Sequence, residues 1–259
     1  MTFDELKALD HAHTLQTYGR FDVDVDHGQG ATLWDLAGRT YIDFTSGIGV
    51  CSVGYGNEKW ARAIYDQALT LGHISNLFYT QPGPLLAREL CTRSGLSKVF
   101  FGNSGAEANE AMIKVARKYS FDKYGKGRST VITLNHSFHG RTITTLTATG
   151  QDSYHNYFFP FQRGLSGTQT PPSESVQAQD GEDVCGVMLE LIQGEGGVRP
   201  LDPKEVQAIA DLCREKDWLL LVDEVQTGVG RTAASSPSSS TAFCRTWRPS
   251  PRALPGDCP

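Results

Sequence analysis

The sequence predicts an α/β protein built on a mostly parallel β-sheet with helices on both faces. Three apolar runs, TVITL at 130–134, CGVMLEL at 185–191 and WLLLV at 218–222, are strand-length and alternate with helical patterns. Strands that are apolar throughout are typical of a parallel sheet covered on both faces. Ligands bind beyond the carboxyl ends of such strands, so we expect the functional residues in the turns that follow.

The N-terminal elements are predicted from alternation and helical spacing. Between 21 and 45, apolar and polar residues alternate around glycine turns, which predicts a short β-meander. Apolar residues recur at helical spacing over 57–71, and Pro84 suits the first turn of a second helix. We therefore expect an N-terminal segment at 1–50 and a large, incomplete domain at 51–232.

The remaining elements alternate between strand and helix. KVFF at 98–101 predicts a short buried strand, which enters a glycine turn and a long helix. The stretch 164–183 is rich in Ser, Gln and Pro and predicts a loop. Asp202 as N-cap, followed by Pro203, predicts a helix that runs to about Lys216.

Composition excludes several classes of function. The net charge of −5 gives no basic surface for nucleic acid. The first residues lack the pattern of a signal peptide, and no apolar run is long enough to cross a bilayer. The six cysteines form no CxxC pair and no metal-ligand spacing. We expect a cytoplasmic chain with reduced thiols, no metal site and no membrane or nucleic-acid partner.

The stretch GNSGAEAN at 102–109 is a candidate anion site. Free N–H groups and the helix dipole at a helix start favour an anion such as phosphate. The small residues Ser104, Gly105 and Ala106 would let that anion approach the backbone closely. The alternative is an ordinary turn between strand and helix. The stretch 102–109 is not a Walker loop, because the G-K-[ST] ending is missing.

The turn SFHGRT at 137–142 combines an aromatic ring with two basic side chains. Phe138 could stack on a flat cofactor, and Arg141 could grip a carboxylate through two parallel hydrogen bonds. Taken alone, His139 is more simply explained as a surface or hydrogen-bonded histidine.

Two further turns carry acids. ELIQGEGG brings Glu190 and Glu195 together, but on one loop, which argues weakly for the facing acids of a glycoside hydrolase. In VDEVQTG, Asp223 follows four apolar residues, and a buried carboxylate requires a partner such as a protonated cofactor ring nitrogen. The alternative is a capping or structural aspartate.

Taken together, NSGAEAN, SFHGRT, QGEGG and VDEVQTG resemble, in this order, the class III aminotransferases that use pyridoxal 5′-phosphate. The resemblance covers roughly residues 10–232 and implies the large domain of fold type I. HISNLFYTQP, SFHGRT and MLELIQGEGGV most resemble acetylornithine aminotransferases, which act on N-acetylornithine and 2-oxoglutarate in arginine biosynthesis. Ornithine, succinylornithine, acetyl-lysine and 4-aminobutyrate enzymes stay open as alternatives.

The resemblance also implies a role for each motif. Arg141 would hold the α-carboxylate of the substrate. Glu190 would lie near the substrate side chain, and we count it with Asp223 as catalytic. Family sites form between two subunits, so a homodimer is implied. The residues expected to bind the cofactor are Ser104, Gly105, Ala106, Phe138, His139, Asp223 and Gln226.

The end of the chain departs from the family pattern. The family's aldimine lysine lies in an A-K-G turn downstream of VDEVQTG, whereas the last lysine here is Lys216. Codons can be chosen for 233–259 that, regrouped one base earlier, encode a family-like continuation ending in FAKGLAG. We expect a frameshift after Thr232, a disordered tail at 233–259 and an inactive chain. The alternatives are a non-catalytic cofactor-binding or interaction protein and an aminomutase on the same scaffold.

Overall fold

The computed structural model describes residues 1–168 and 171–232, and the backbone of a strand at Cys244–Trp247. The chain divides into two units, Met1–Tyr79 and Thr80–Pro259. The predicted domain boundary at residue 50 stays a prediction. Within the described residues, no helix combines the length and apolar character needed to cross a membrane.

The first unit confirms the predicted β-meander. Three short antiparallel strands form one sheet, and Asn57 caps the helix predicted for 57–71 through its side chain. The first helix was not predicted; it begins with a capping box between Thr2 and Glu5. The elements are α1 (Phe3–His13), β1 (His27–Gln29), β2 (Thr32–Trp34), β3 (Thr40–Ile42) and α2 (Glu58–Leu71).

The second unit contains the predicted parallel sheet. Its strands lie in the order β10-β9-β6-β4-β5, and every neighbouring pair is parallel except β10 with β9. The helices are α3 (Pro82–Ser94), α4 (Gly105–Tyr124), α5 (Ile143–Ala148), α6 (Asp152–His155), α7 (Pro172–Ala178) and α8 (Pro203–Glu215). The strands are β4 (Thr130–Thr133), β5 (Leu165–Gly167), β6 (Val184–Leu189), β7 (Ile192–Gln193), β8 (Arg199–Pro200), β9 (Leu219–Asp223) and β10 (Cys244–Trp247), with β7 and β8 paired separately.

Helices cover both faces of this sheet, as predicted. One cluster joins Leu220 and Val222 to Ile209 of α8, and the other joins Leu219 and Leu221 to Ile113 of α4. Successive residues of β9 therefore point into opposite cores, which explains why the strand is apolar throughout. Burying each of these side chains contributes about 1.5–3 kcal/mol.

Two predicted elements are wrong. The stretch 98–101 is not a strand, and its Phe100 is exposed. A strand needs a hydrogen-bonded neighbour, and the described part of the chain supplies none there. The stretch 164–183 is not only a loop, since it contains β5 and α7. Val176 is fully buried in the core, so one apolar anchor docks a helix that polar composition hides.

The tail contains one described element. Cys244–Trp247 pairs antiparallel with β9, where the sequence predicts disorder. The open edge of β9 offers unpaired N–H and C=O groups that another backbone segment can satisfy. The rest of 233–259, and with it the prediction of a frameshifted tail, lies outside the described residues.

Candidate active site

The first turn of α4 and the turn after β4 lie directly against each other. Gly140 makes this possible: its φ is +131°, and a Cβ there would lie 2.7 Å from Ala106 Cβ and 2.6 Å from Thr145 Oγ1. Real Cβ atoms do not approach other atoms so closely, and L side chains rarely adopt this φ. The glycine of SFHGRT is therefore a packing requirement that joins two of the predicted motifs.

The start of α4 has the donors expected of a phosphate site. Ser104 is the N-cap, and its Oγ accepts the Glu107 N–H at 3.2 Å. In the part of the chain that the structure describes, the N–H groups of Gly105 and Ala106 have no hydrogen-bond acceptor. Two free N–H groups at the positive end of a 20-residue helix suit a doubly charged anion.

Asp223 lies at the carboxyl end of β9 and is buried, as predicted. Its Oδ2 is 2.9 Å from His139 Nδ1 and accepts the Asn109 amide at 2.8 Å. Its Oδ1 accepts the Val225 N–H at 2.9 Å. His139 is also buried, and its Nε2 has no partner among the described residues. His139 thus contacts the predicted ring-binding acid from the side, and three donors stabilise the negative charge on that acid.

Glu190 is buried next to this group. Its Oε1 accepts the Phe138 N–H at 2.8 Å, which fixes the backbone of the predicted stacking residue. Burial raises the pKa of Glu190 to about 7; His139 opposes this rise and the charge of Asp223 adds to it. The predicted role of Glu190 beside the substrate side chain stays a prediction; its carboxylate contacts backbone N–H groups, that of Phe138 among them.

The exposed side of the site is organised around Tyr154. The Phe138 ring meets the Tyr154 ring edge-on at 5.4 Å between centroids, and the Arg141 guanidinium lies 5.2 Å from the Tyr154 centroid. The Tyr154 hydroxyl donates to Glu195 at 2.7 Å, and this bond raises the pKa of Tyr154. Arg141 is exposed and available for a carboxylate.

Gln226 is exposed and lies beside the QGEGG turn. A Cβ on Gly194 would be 3.1 Å from Gln226 Cβ, so the turns after β6 and β9 also touch. The nine residues predicted for the site all belong to the second unit. Most of these residues lie in turns that pack against each other in pairs, whereas the Ser104 side chain caps α4.

Asn109 and Tyr154 were not predicted to take part. Asn109 belongs to the quoted motif GNSGAEAN, and it shares the buried face of α4 with Met112, Ile113 and Ala116. A polar residue on an otherwise apolar helical face is a signal that could have found it. Nothing in the sequence marks Tyr154, because its contacts with Phe138 and Arg141 arise only from tertiary packing.

Comparison with known proteins identifies the family. Residues 15–235 match the aminotransferase class-III family, and the chain belongs to it. An acetylornithine aminotransferase from Haemophilus ducreyi is 52% identical over 233 residues, which are 90% of this chain and 59% of that protein. One from Wolinella succinogenes is 49% identical over 228 residues, 87% of this chain and 58% of that protein. The chain therefore spans less than two thirds of these relatives.

Solved structures agree with the fold. An ornithine aminotransferase from Toxoplasma gondii has a TM-score of 0.83 at 31% identity, covering 90% of this chain and 56% of that one. An N-acetylornithine aminotransferase from Stenotrophomonas maltophilia has a TM-score of 0.69 at 36% identity, covering 87% and 55%. Pyridoxal 5′-phosphate is the cofactor of this family, and the Toxoplasma gondii enzyme is described with this cofactor at its active site.

The residues present fit this cofactor. Its phosphate matches the two free N–H groups at the start of α4. Its basic ring nitrogen matches the buried Asp223 carboxylate, which already has three protein donors and is packed against the same helix.

Proposed function

We propose that this chain forms the cofactor-binding part of an acetylornithine-type aminotransferase. The reaction moves an amino group between N-acetylornithine, or a related ω-amino acid, and 2-oxoglutarate, in the cytoplasm and in arginine biosynthesis. The observation that carries the proposal is Asp223, which is buried at the end of β9 and hydrogen-bonded to Asn109 of α4, the helix whose first N–H groups have no acceptor among the described residues. The family match over residues 15–235 supports it.

The bound cofactor supplies an electron sink for the bonds around the substrate α-carbon. In this proposal the N–H groups of Gly105 and Ala106 hold its phosphate, and Phe138 packs on its ring. Asp223 pairs with the ring nitrogen and keeps it protonated, and Gln226 contacts the ring hydroxyl. Glu190 accepts the Phe138 N–H, and this hydrogen bond fixes the position of the Phe138 ring relative to the cofactor ring.

Arg141 orients the substrate. Its guanidinium offers a fork of donors that matches a carboxylate, and its exposure leaves it free to bind the α-carboxylate. The hydrogen bond from Tyr154 to Glu195 holds the ring against which Arg141 lies. The partners in this proposal are amino-acid and 2-oxo-acid substrates and a second subunit in a homodimer.

These 259 residues contain no lysine after Lys216. Lys216 precedes β9, pairs with Asp180 at 2.6 Å and lies at the opposite end of the strand from Asp223. We infer that residues 1–259, taken alone, hold the cofactor without a covalent bond and do not catalyse transfer. A non-catalytic cofactor-binding protein on this scaffold is the competing function.

A chimera tests the proposal. Residues 1–232 are fused to the C-terminal remainder of the Haemophilus ducreyi relative, which is 52% identical over the shared part. We expect the chimera to form glutamate from 2-oxoglutarate with N-acetylornithine, and the 259-residue chain to bind pyridoxal phosphate without forming glutamate. A folded, cofactor-loaded chimera that transfers no amino group would contradict the proposal. Turnover by the 259-residue chain, purified from a host lacking aminotransferases, would contradict the inactivity.

A further inference from the structure

Asn109 is a buried polar residue to which the proposed function assigns no contact with the cofactor or the substrate. It lies on the buried face of α4 and is 1% exposed. Its Nδ2 donates one hydrogen bond to the His139 carbonyl at 2.7 Å and another to Asp223 Oδ2 at 2.8 Å. The two acceptors are 30 and 114 residues away along the chain. Both protons of one amide group are therefore used to join distant segments.

The three segments joined by this amide are those that carry the proposed cofactor contacts. Asn109 itself follows Gly105 and Ala106 by one helical turn. His139 is in the SFHGRT turn next to Phe138, and Asp223 ends β9. An ionised aspartate of the same size would have no proton for either acceptor. An aliphatic side chain would leave the buried His139 carbonyl without this donor and Asp223 Oδ2 with His139 alone.

We propose that Asn109 is a positioning residue that aims the Asp223 carboxylate at the ring nitrogen of pyridoxal 5′-phosphate. The proposal rests on the function inferred above. Oδ2 is held by Asn109 and His139, and Oδ1 by the Val225 N–H. The carboxylate thus cannot rotate without breaking a buried hydrogen bond, and its remaining lone pairs keep one direction. Asn109 couples that direction to α4, whose first turn holds the phosphate.

A purely structural role for Asn109 would give a different result. If the amide only fastened α4 to the sheet, its loss would weaken every contact of the cofactor, including that of the phosphate. If it aims Asp223, its loss weakens the contact with the ring nitrogen selectively. The analogue 1-deazapyridoxal 5′-phosphate, which has carbon in place of that nitrogen, separates the two.

The experiment measures the dissociation constants of pyridoxal 5′-phosphate and of the deaza analogue by equilibrium dialysis, with the 259-residue chain. We expect the wild-type chain to prefer the natural cofactor by about ten- to a hundredfold. Asn109→Leu and Asn109→Asp should each reduce this preference to less than about threefold while changing the affinity for the analogue little. Ala116→Gly, a buried change on the same helix away from these bonds, should keep the preference.

The outcomes distinguish the positioning role of Asn109 from a purely structural role and test the assignment of Asp223. Equal losses for both ligands in folded Asn109 variants would overturn the positioning role and leave the proposed function intact. A wild-type chain that binds neither ligand, or both equally, would remove the assignment of Asp223 and the positioning role with it.

One measurement needs no variant. In the wild-type chain with isotopically labelled asparagine, one side-chain amide pair should shift on adding pyridoxal 5′-phosphate and not on adding the analogue. Identical spectra with the two ligands would also overturn the positioning role.

Discussion

The two ends of the parallel sheet hold their charges in opposite ways. At the carboxyl ends, the His139 and Asp223 side chains are 0% and 3% exposed, and their atoms are 2.9 Å apart. At the amino ends, the Lys123 and Asp217 side chains are 42% and 29% exposed, and their atoms are 2.5 Å apart. The distances are similar, so the surroundings of the two pairs, more than their geometry, decide what each pair contributes.

Because the first pair is buried, losing one of its partners is costly for stability, whereas the exposed second pair is nearly neutral for stability. Removing one partner of a buried pair typically costs about 3–5 kcal/mol, whereas an exposed pair contributes about 0–1 kcal/mol. The amino end also uses Arg128 to tie the strands, since its guanidinium donates to the Val184 and Lys216 carbonyls. The amino end of the sheet thus joins its strands through contacts that water reaches, whereas the carboxyl end keeps the Asp223 carboxylate away from water.

The largest expected effect comes from the same substitution made at each end. In the chimera, Asp223→Asn should lower kcat by about a hundred- to a thousandfold, because a neutral amide does not stabilise a protonated ring nitrogen. Asp217→Asn should leave kcat unchanged, and Asn tolerates the positive φ of 51° at that position. Steady-state glutamate formation measures both. Near-normal turnover of the Asp223 variant with cofactor bound would show that the two ends of the sheet do not differ in their effect on kcat.

The pH dependence of stability should also differ between the two ends. Burial raises the pKa of Glu190 to about 7 in the folded chain, from 4.5. Its contribution to the free energy of unfolding is therefore fully present below pH 4.5 and is lost as the pH rises through 7, by about 3 kcal/mol. Glu190→Gln should remove this loss, and Glu182→Gln at the exposed end should not. Urea unfolding of the 259-residue chain between pH 4 and pH 8 measures it. Parallel curves of the free energy of unfolding against pH for Glu190→Gln and wild type would contradict the assignment of this pH dependence to Glu190.

Arg141 tests the ligand-facing rim of the carboxyl end. In the chimera, Arg141→Lys should weaken amino-acid binding by about 1.5–3 kcal/mol, because lysine lacks the two-pronged fork. Cofactor affinity should stay nearly unchanged. The control Arg93→Lys, in the last turn of α3, should change neither quantity. Loss of the cofactor with unchanged KM for the amino acid would show that the roles are reversed.

The smallest effect is expected at the amino end. Lys123→Met should lower the free energy of unfolding by at most about 1 kcal/mol, and less at high salt. Affinity for pyridoxal 5′-phosphate should not change. Denaturant titrations at two salt concentrations measure the first effect, and equilibrium dialysis the second. A loss of several kcal/mol would mean that the two ends are less different than their exposure indicates.

The parts of the fold that the sequence predicted are those governed by local rules. The apolar runs of β4, β6 and β9, the helical spacing of α2 and the Asp202 cap of α8 are each explained within a few residues. The prediction of a strand at 98–101 is wrong because a strand depends on a hydrogen-bonded neighbour that no local pattern reveals. α7 was missed because one buried valine, Val176, outweighs a polar surrounding sequence.

The candidate site shows the same limit. The burial of Asp223 follows from its place after four apolar residues, so a sequence argument reaches it. The partners Asn109 and His139 are distant in sequence, and only the packing of α4 on the sheet brings them to the carboxylate. Tyr154 lies beside Phe138 and Arg141 for a similar reason.

The glycine at position 140 also limits how this site could be redesigned. Because its Cα lies against Ala106, the segment that ends in Arg141 and the first turn of α4 cannot move independently. An engineer who shifted Arg141 to accept a longer substrate would push the neighbouring helix start by a similar distance. Changes of substrate are therefore better sought at Tyr154, whose ring lies against Arg141, and at Glu195, which accepts the Tyr154 hydroxyl, since neither residue belongs to either of these two turns.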